Sequence, residues 1–320
     1  MDLLDKKILC ALDMNCRQSY ARIAKQINSS RAVVNYRIKN LEKAGIIRSY
    51  ITAINLGKLG FNTYKVFFKL HTSNERAIKQ FIEHLKASRN VIHCLKTEGA
   101  YDVSIAVAVK TIKEFDEFMT DLKNKFNELI KDYYISLVIK SKVFRLQKIL
   151  LGKKAYIKTE SYSGKDTSTR IDSNDKKLLK ILSNNASIHL VDLAKKTKLT
   201  VDIAKYRMKK LVQGNIINNF RMMLDFNKMG LYHYVVLLKI RKATKQEEAK
   251  LMEWARSHPS VLYLVKYIGN WDYAINVALR NIDEYTEFIS AFRKEFSDII
   301  DSYETSMNTE ILKLNYCPLY

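Results

Sequence analysis

The chain repeats itself, without a gap, at an offset of 170 residues. Asp5-Lys6-Lys7 recurs as Asp175-Lys176-Lys177, Ala24-Lys25 as Ala194-Lys195, Tyr36-Arg37 as Tyr206-Arg207 and Ile46-Ile47 as Ile216-Ile217. Further on, Gly60 pairs with Gly230, Gly99 with Gly269, Asp102 with Asp272, Phe118 with Phe288 and Tyr133 with Tyr303. Solenoid units run roughly 20–50 residues, so a repeat this long is a duplicated folding unit. The chain is therefore expected to carry, on one polypeptide, the halves of something ordinarily symmetric.

The 320 residues exceed one ordinary domain, and 47% hydrophobic content is enough for several cores. The net charge of +22 favours a polyanionic partner, nucleic acid before an anionic membrane. Its distribution carries more than its size. Residues 1–60 hold 11 Lys/Arg against 4 Asp/Glu, and residues 171–230 hold 12 against 5, a net of +7 in each. Residues 231–320 hold 11 against 12, a net of −1. A general solubility surplus would not gather in the first part of each repeat.

Cys10, Cys16, Cys94 and Cys317 have neither CxxC nor metal-ligand spacing, and are expected to be reduced thiols of a cytosolic protein. The start Met1-Asp2-Leu3-Leu4-Asp5 is not a signal peptide, and apolar runs such as Val235-Val236-Leu237-Leu238 are too short to span a bilayer. The six histidines form no motif, so neither a metal nor a catalytic set is expected, and no cofactor.

Each repeat divides in two. Its first third has helical periodicity: Ile8, Leu9 and Leu12, then Ile23, Ala24 and Ile27, then Val34, Ile38 and Leu41, with equivalents at Leu178, Leu179 and Leu182, Leu193 and Ala194, and Ala204, Met208 and Leu211. Ser30 and Thr200 stand where an N-cap should open the third helix. Gly45 and Asn215 stand where a left-handed residue should close it. Short extended wings follow at Ile46 to Ala53 and Ile216 to Met223. The remainder alternates strand and helix in the order β-α-β-β-α-β, the ferredoxin-like unit: a strand at Tyr64 to Leu70, a helix at Asn74 to Ser88, strands at Val91 to Thr97 and Tyr101 to Val109, a helix at Ile112 to Lys131 and a strand at Tyr133 to Phe144. The expected fold class is α+β, with domains at 1–60, 61–147, 171–230 and 231–320. The polar, basic stretch 148–170 is expected to be a flexible linker.

Three helices, a basic third helix and a wing make a winged helix-turn-helix. Joined to a βαββαβ domain, this resembles the Lrp/AsnC, or feast/famine, family of transcription regulators. The residues carrying the resemblance are Asp5-Lys6-Lys7-Ile8-Leu9 and its copy at 175–179, the run from Val34 through Arg37, Ile38, Leu41 and Glu42 to Gly45-Ile46-Ile47, and the turns Gly99-Ala100-Tyr101-Asp102 and Gly269-Asn270-Trp271-Asp272. The likeness covers nearly the whole chain twice. It departs at Asn28-Ser29-Ser30, where the family has Gly-Leu-Ser, and at Val212 and Asn215, where it favours Glu and Gly.

With Val34, Ile38 and Leu41 buried, the third helix presents Arg31, Asn35 and Lys39. Arg can fork to guanine, Asn can bridge adenine, and Lys39 and Arg37 are expected to reach phosphates. The second head presents Val201, Lys205 and Lys209 with Arg207, and Asp202 beside Val201 would repel a phosphate. The two heads are thus expected to differ, with Ser30 and Thr200 at their helix starts. The resemblance places an amino-acid effector site at Gly99, Tyr101 and Asp102, or at Gly269, Trp271 and Asp272, where backbone N–H groups and a carboxylate would suit a zwitterion. The expected protein is a nucleoid-associated cytoplasmic regulator that binds double-stranded DNA, with its βαββαβ domains paired sheet to sheet in an intramolecular pseudo-dimer or a higher oligomer. The alternatives are a sirohaem-decarboxylase-like tetrapyrrole enzyme, since those enzymes resemble this fold, and a DNA-coating protein of low specificity.

Overall fold

The computed structural model describes all residues except 72–73, 153–159, 164–168, 242–243, 316 and 320; for residues 160–163 it describes the backbone alone. The first unit opens with α1 (Leu3–Met14), α2 (Tyr20–Ile27), α3 (Arg31–Lys43) and the wing β1 (Ile47–Ile54). It continues with β2 (Asn62–Leu70), α4 (Glu75–Ala87), β3 (Val91–Gly99), β4 (Val103–Val109), α5 (Ile112–Phe126) and β5 (Ile130–Val143). Then come α6 (Gln147–Leu151) and β6 (Glu160–Ser163). The second unit repeats the plan with α7 (Ser173–Asn184), α8 (Leu190–Thr197), α9 (Val201–Gln213), β7 (Ile217–Leu224), β8 (Tyr232–Ile240), α10 (Lys245–Ser257), β9 (Val261–Gly269), β10 (Tyr273–Leu279), α11 (Ile282–Phe296) and β11 (Ile300–Leu314).

Alternation along the strands sorts the cores. Tyr64, Val66, Phe68 and Leu70 pack with Phe81, Leu85, Phe115 and Leu122 under the helices of the first βαββαβ domain. Val236, Leu238, Leu251, Phe288 and Phe292 do the same in the second. The opposite faces carry Phe67, Tyr101, Leu237, Trp271 and Ala274, which pack on one another. The long last strand of each domain also reaches past its own sheet: β11 pairs with both β8 and β3, and β5 with both β2 and β9. The strands run β2-β4-β3-β11-β8-β10-β9-β5, and β5 returns to β2, so the two sheets close into one ring, with β6 lying on β5 as a short outer strand. Closure removes the exposed strand edges on which chains aggregate.

The helix-turn-helix units share a third core, from Ile8, Leu9 and Leu12 to Leu178, Leu179 and Leu182. Their wings pair antiparallel, with Ile51 opposite Arg221 and Thr52 opposite Phe220. Arg17 Nη1 donates to the carbonyls of Ala186 and Ile188 at 2.6 and 2.9 Å.

Two expectations need correction. The helix expected over Ile112 to Lys131 stops at Phe126, because Leu129 is buried in a turn and Ile130, though in phase with the helix, opens β5 opposite Leu70. The span 148–170 is not structureless throughout. Leu150 is buried and α6 packs on α1, Gly152 ends that helix with φ +64°, and Glu160–Ser163 adds to the edge of β5. Residues 153–159 and 164–168 of that expected linker lie outside the described residues.

Candidate nucleic-acid interface

The Ser30 hydroxyl accepts from Val33 N at 3.2 Å and starts α3; Thr200 accepts from Ile203 N at 3.3 Å and starts α9. Asn28 and Lys198, both left-handed at φ +54° and +57°, make the sharp turns before them. Val34, Ile38 and Leu41 face inward, as do Ala204 and Leu211. The outer face of α3 carries Arg31 and Lys39, exposed, with Asn35 at its margin; that of α9 carries Val201, Lys205 and Lys209, all exposed. Each face also holds a tyrosine that periodicity alone did not single out: Tyr36 is 64% exposed and Tyr206 is 67% exposed. They are counterparts in the repeat, and a phenol so uncovered on a reading helix is available to a phosphate or a base edge.

Arg37 and Arg207 do not belong to that face, contrary to expectation. Arg37 Nη1 donates to Asp2 at 2.7 Å and to Asp5 at 3.3 Å; Arg207 Nη1 donates to Asp172 at 2.6 Å and to Asp175 at 2.9 Å. Asp2 and Asp5 form the reciprocal cap of α1, and Asp172 and Asp175 that of α7. The backbone N–H groups of the cap and then the guanidinium hold Asp2 and Asp172 below the usual carboxylate range. Each Arg thus ties the reading helix to the start of the first helix. The distance of 35 residues between the partners hides this from any local pattern.

A buried ionic knot fixes the first head on the rest. Asp13, 1% exposed, accepts from Arg221 Nη2 at 2.9 Å and from Leu146 N at 3.1 Å, and its carbonyl accepts from Arg145 Nη1 at 2.7 Å. One side chain therefore joins α1, the wing of the other unit and the segment after β5. Its counterpart in the repeat is Ser183, so the knot exists once.

The Gly-x-x-Asp turns lie on the seam between the βαββαβ domains. Ala100 N donates to Thr305 O at 3.1 Å and Asn270 N to Ile135 O at 3.0 Å. Asp102 accepts from Leu70 N at 2.7 Å; Asp272 accepts from Ile240 N at 2.9 Å and has Lys239 Nζ at 3.5 Å. Gly99 and Gly269 sit at φ +111° and +137°, and an added Cβ would come within 2.8 Å of Thr305 O and 2.5 Å of Ile135 O. Tyr101 and Trp271 are buried against each other, 1% and 6% exposed. The N–H groups and carboxylates expected to meet a zwitterion are thus engaged by the opposite domain or by the neighbouring strand. The glycines permit close approach of two backbones.

Sequence reasoning also missed a cavity of about 300 Å³ between the two sheets and beneath the paired wings. Lys65, His93, His233, Asn276, Ser306 and Asn308 line part of it. Lys65 and His93 occupy strand positions whose polar phase normally means solvent; here that face meets another sheet. Among the described residues no group of three or more His, Cys, Asp or Glu could hold a metal, and no helix is long and apolar enough to cross a membrane. Burial pushes the thiols of Cys10, Cys16 and Cys94 up to about 12, so they are unreactive near neutrality.

Residues 1–48 and 171–218 match the winged helix-turn-helix DNA-binding family model, and residues 65–146 match the Lrp/AsnC ligand binding domain model. An uncharacterised HTH-type transcriptional regulator of Pyrococcus furiosus is 32% identical over 125 residues, which cover 39% of this chain and 83% of that protein. The HTH-type transcriptional regulator Ptr1 of Methanocaldococcus jannaschii is 27% identical over 121 residues, 38% of this chain and 80% of that protein. The regulatory protein AsnC of Haemophilus influenzae is 28% identical over 114 residues, 36% and 75% of the two chains. Each of these relatives aligns with a stretch less than half as long as this chain. The crystal structure of the siroheme decarboxylase NirDL superposes with a TM-score of 0.65 over 99% of this chain and 94% of that one, at 12% identity, which is a likeness of fold. The chain belongs to the Lrp/AsnC family of transcription regulators, with its winged helix-turn-helix present twice in tandem.

Proposed function

We propose that this DNA-binding regulator reads one duplex with two unequal heads held in a fixed relation. The observation that carries this is the contrast between the outer faces: Arg31, Asn35, Tyr36 and Lys39 on α3 against Val201, Lys205, Tyr206 and Lys209 on α9. The first can fork to guanine and bridge adenine; the second offers an apolar contact and two cations, which suit backbone more than base. The shared core and the wing pairing support a rigid pair, and the preferred operator is then asymmetric. Duplex binding measured against salt is the test. Affinity falls steeply with salt; Arg31→Ala and Asn35→Ala relax sequence preference by about 1–3 kcal/mol at the preferred site, and Lys205→Ala weakens all duplexes alike. Absence of binding at low salt overturns the proposal.

We also infer a response to a small metabolite, an amino acid first. The match of residues 65–146 to a ligand binding domain model supports it. A saturating ligand at a hundred times its Kd adds about 2.7 kcal/mol of stability, which a thermal-shift screen of the common amino acids reads directly. The fold likeness to a decarboxylase brings a tetrapyrrole enzyme into view. Against it, the family models matched by the chain describe a DNA-binding unit and a regulator's ligand binding domain. Tight binding of a coloured tetrapyrrole, seen as visible absorbance, would favour the enzyme.

A further inference from the structure

Substitutions between the two halves make the cavity between the sheets asymmetric. Lys65 and His93 line it from one sheet, on either side of Ala106, and their counterparts at the 170-residue offset, Val235 and Tyr263, line it from the other, on either side of Asn276. Asn308 lines it as well, as does its counterpart Val138. A symmetric dimer would carry each set twice; here each occurs once.

The polar part of the lining includes an ammonium group. Lys65 and His93 flank Ala106 on adjacent strands. Lys65 Nζ donates to Ser104 Oγ at 3.2 Å and lies 5.6 Å from the centre of the Phe67 ring. Among the described residues no carboxylate pairs with it, and those lining the cavity include neither Asp nor Glu. His233 Nε2 lies 3.2 Å from Asn276 Oδ1, and its Nδ1 lies 3.0 Å from Asn308 Nδ2. That pairing fits a neutral ring with the proton on Nε2. Asn308 Oδ1 and Ser306 Oγ, on residues 7% and 4% exposed, have no hydrogen-bond partner among the described residues. A half-buried cation without a counter-ion among the described residues, beside unsatisfied polar atoms, is costly to the fold and calls for an occupant.

We propose that this cavity is a binding site for an organic monocarboxylate with an apolar body, its carboxylate on Lys65 and its body against Val138, Val235 and Tyr263. A zwitterion fits less well, because nothing in the lining offers a carboxylate to an ammonium. Asn308 Oδ1 can accept from a hydroxyl or N–H of the same molecule. The site adjoins the Gly-x-x-Asp seams, Ser306 lying opposite Gly99, and stands whether or not the heads read DNA.

Titration calorimetry on the full chain tests it with phenylpropionate, hexanoate and octanoate, each beside its primary amide. An acid is expected to bind about tenfold or more tightly than its amide, a charge-assisted hydrogen bond being the difference. Lys65→Met is expected to abolish that preference and, with no ligand present, to raise the melting temperature, because a half-buried charge without a counter-ion is removed. Ala106→Leu, which fills space beside Lys65, is expected to weaken acids and amides together. The proposal is overturned if none of the acids binds at millimolar concentration, if acid and amide bind alike, or if Lys65→Met retains the preference. A fall in the melting temperature of Lys65→Met, or its failure to fold, also overturns it, by assigning the ammonium to structure.

Discussion

Trp271 Nε1 donates to the hydroxyl of Tyr101 at 3.2 Å, and these two residues are each other's counterpart in the repeat. Equivalent positions that touch must lie at the axis relating the two halves. Two identical residues there would have to share donor and acceptor roles, whereas Tyr and Trp divide them. Burial, then the Glu304 carboxylate, pushes the Tyr101 phenol upward, so it stays protonated. Trp271→Phe is expected to cost about 1–3 kcal/mol, through lost packing and the lost hydrogen bond to the Tyr101 hydroxyl. Urea unfolding unchanged by the substitution would show that the pair contributes nothing.

The seam glycines should be intolerant. Gly269→Ala sets a Cβ against Ile135 O and Gly99→Ala sets one against Thr305 O, in backbone regions that alanine rarely adopts. Each is expected to lower stability by about 1–3 kcal/mol, with Gly269→Ala the worse because the approach is closer. Chemical denaturation of the two variants, compared side by side, reads both the size and the order.

Asp13→Ala would leave Arg221 buried beside an empty partner position. Breaking a buried pair from one side costs about 3–5 kcal/mol, and wild-type-like unfolding would mean that the knot is relaxed by water. Asp13→Ser, which imitates Ser183 of the second unit, keeps the polarity but not the charge and should be nearly as costly.

Arg37→Ala should lower the melting temperature while leaving the salt slope of DNA binding unchanged, because its guanidinium is spent on Asp2 and Asp5. Lys39→Ala should do the reverse and reduce the slope by about one. A changed slope in Arg37→Ala would return that residue to the DNA face.

Acid should unfold the protein through its interior histidines. Burial, with a further push from Lys65, holds His233 down to about 4 despite the Asn276 hydrogen bond, and His93 is held well below its ordinary value. Both are neutral in the fold and take up protons more readily when unfolded. The stability they confer is therefore complete above about pH 6.5 and is lost as pH falls toward 4, up to about 3 kcal/mol for His233. His233→Gln should flatten that dependence; a melting temperature that falls as steeply in the variant would place the sensitivity elsewhere.

The helices, wings and βαββαβ order were legible because burial on one face leaves a period in the chain, 3.6 for α3 and 2 for β2. The outer residues of α3 and α9 followed from the same period. The double role of Ile130 was not legible, since one apolar residue fits both a helix end and a strand start. Nor was the use of Arg37, whose partners lie 35 residues away across the fold. That Lys65 and His93 line a cavity was not legible either, because alternation reports two faces and pairing of the sheets does not report where a space remains between them.

The closure of both halves into one ring has a consequence for dosage. Where two separate subunits must meet before they can grip an operator, the active species grows as the square of the subunit number while that number is small. On the proposed two-headed reading both heads arrive on one polypeptide, so occupancy is expected to rise in proportion to copies made rather than as their square.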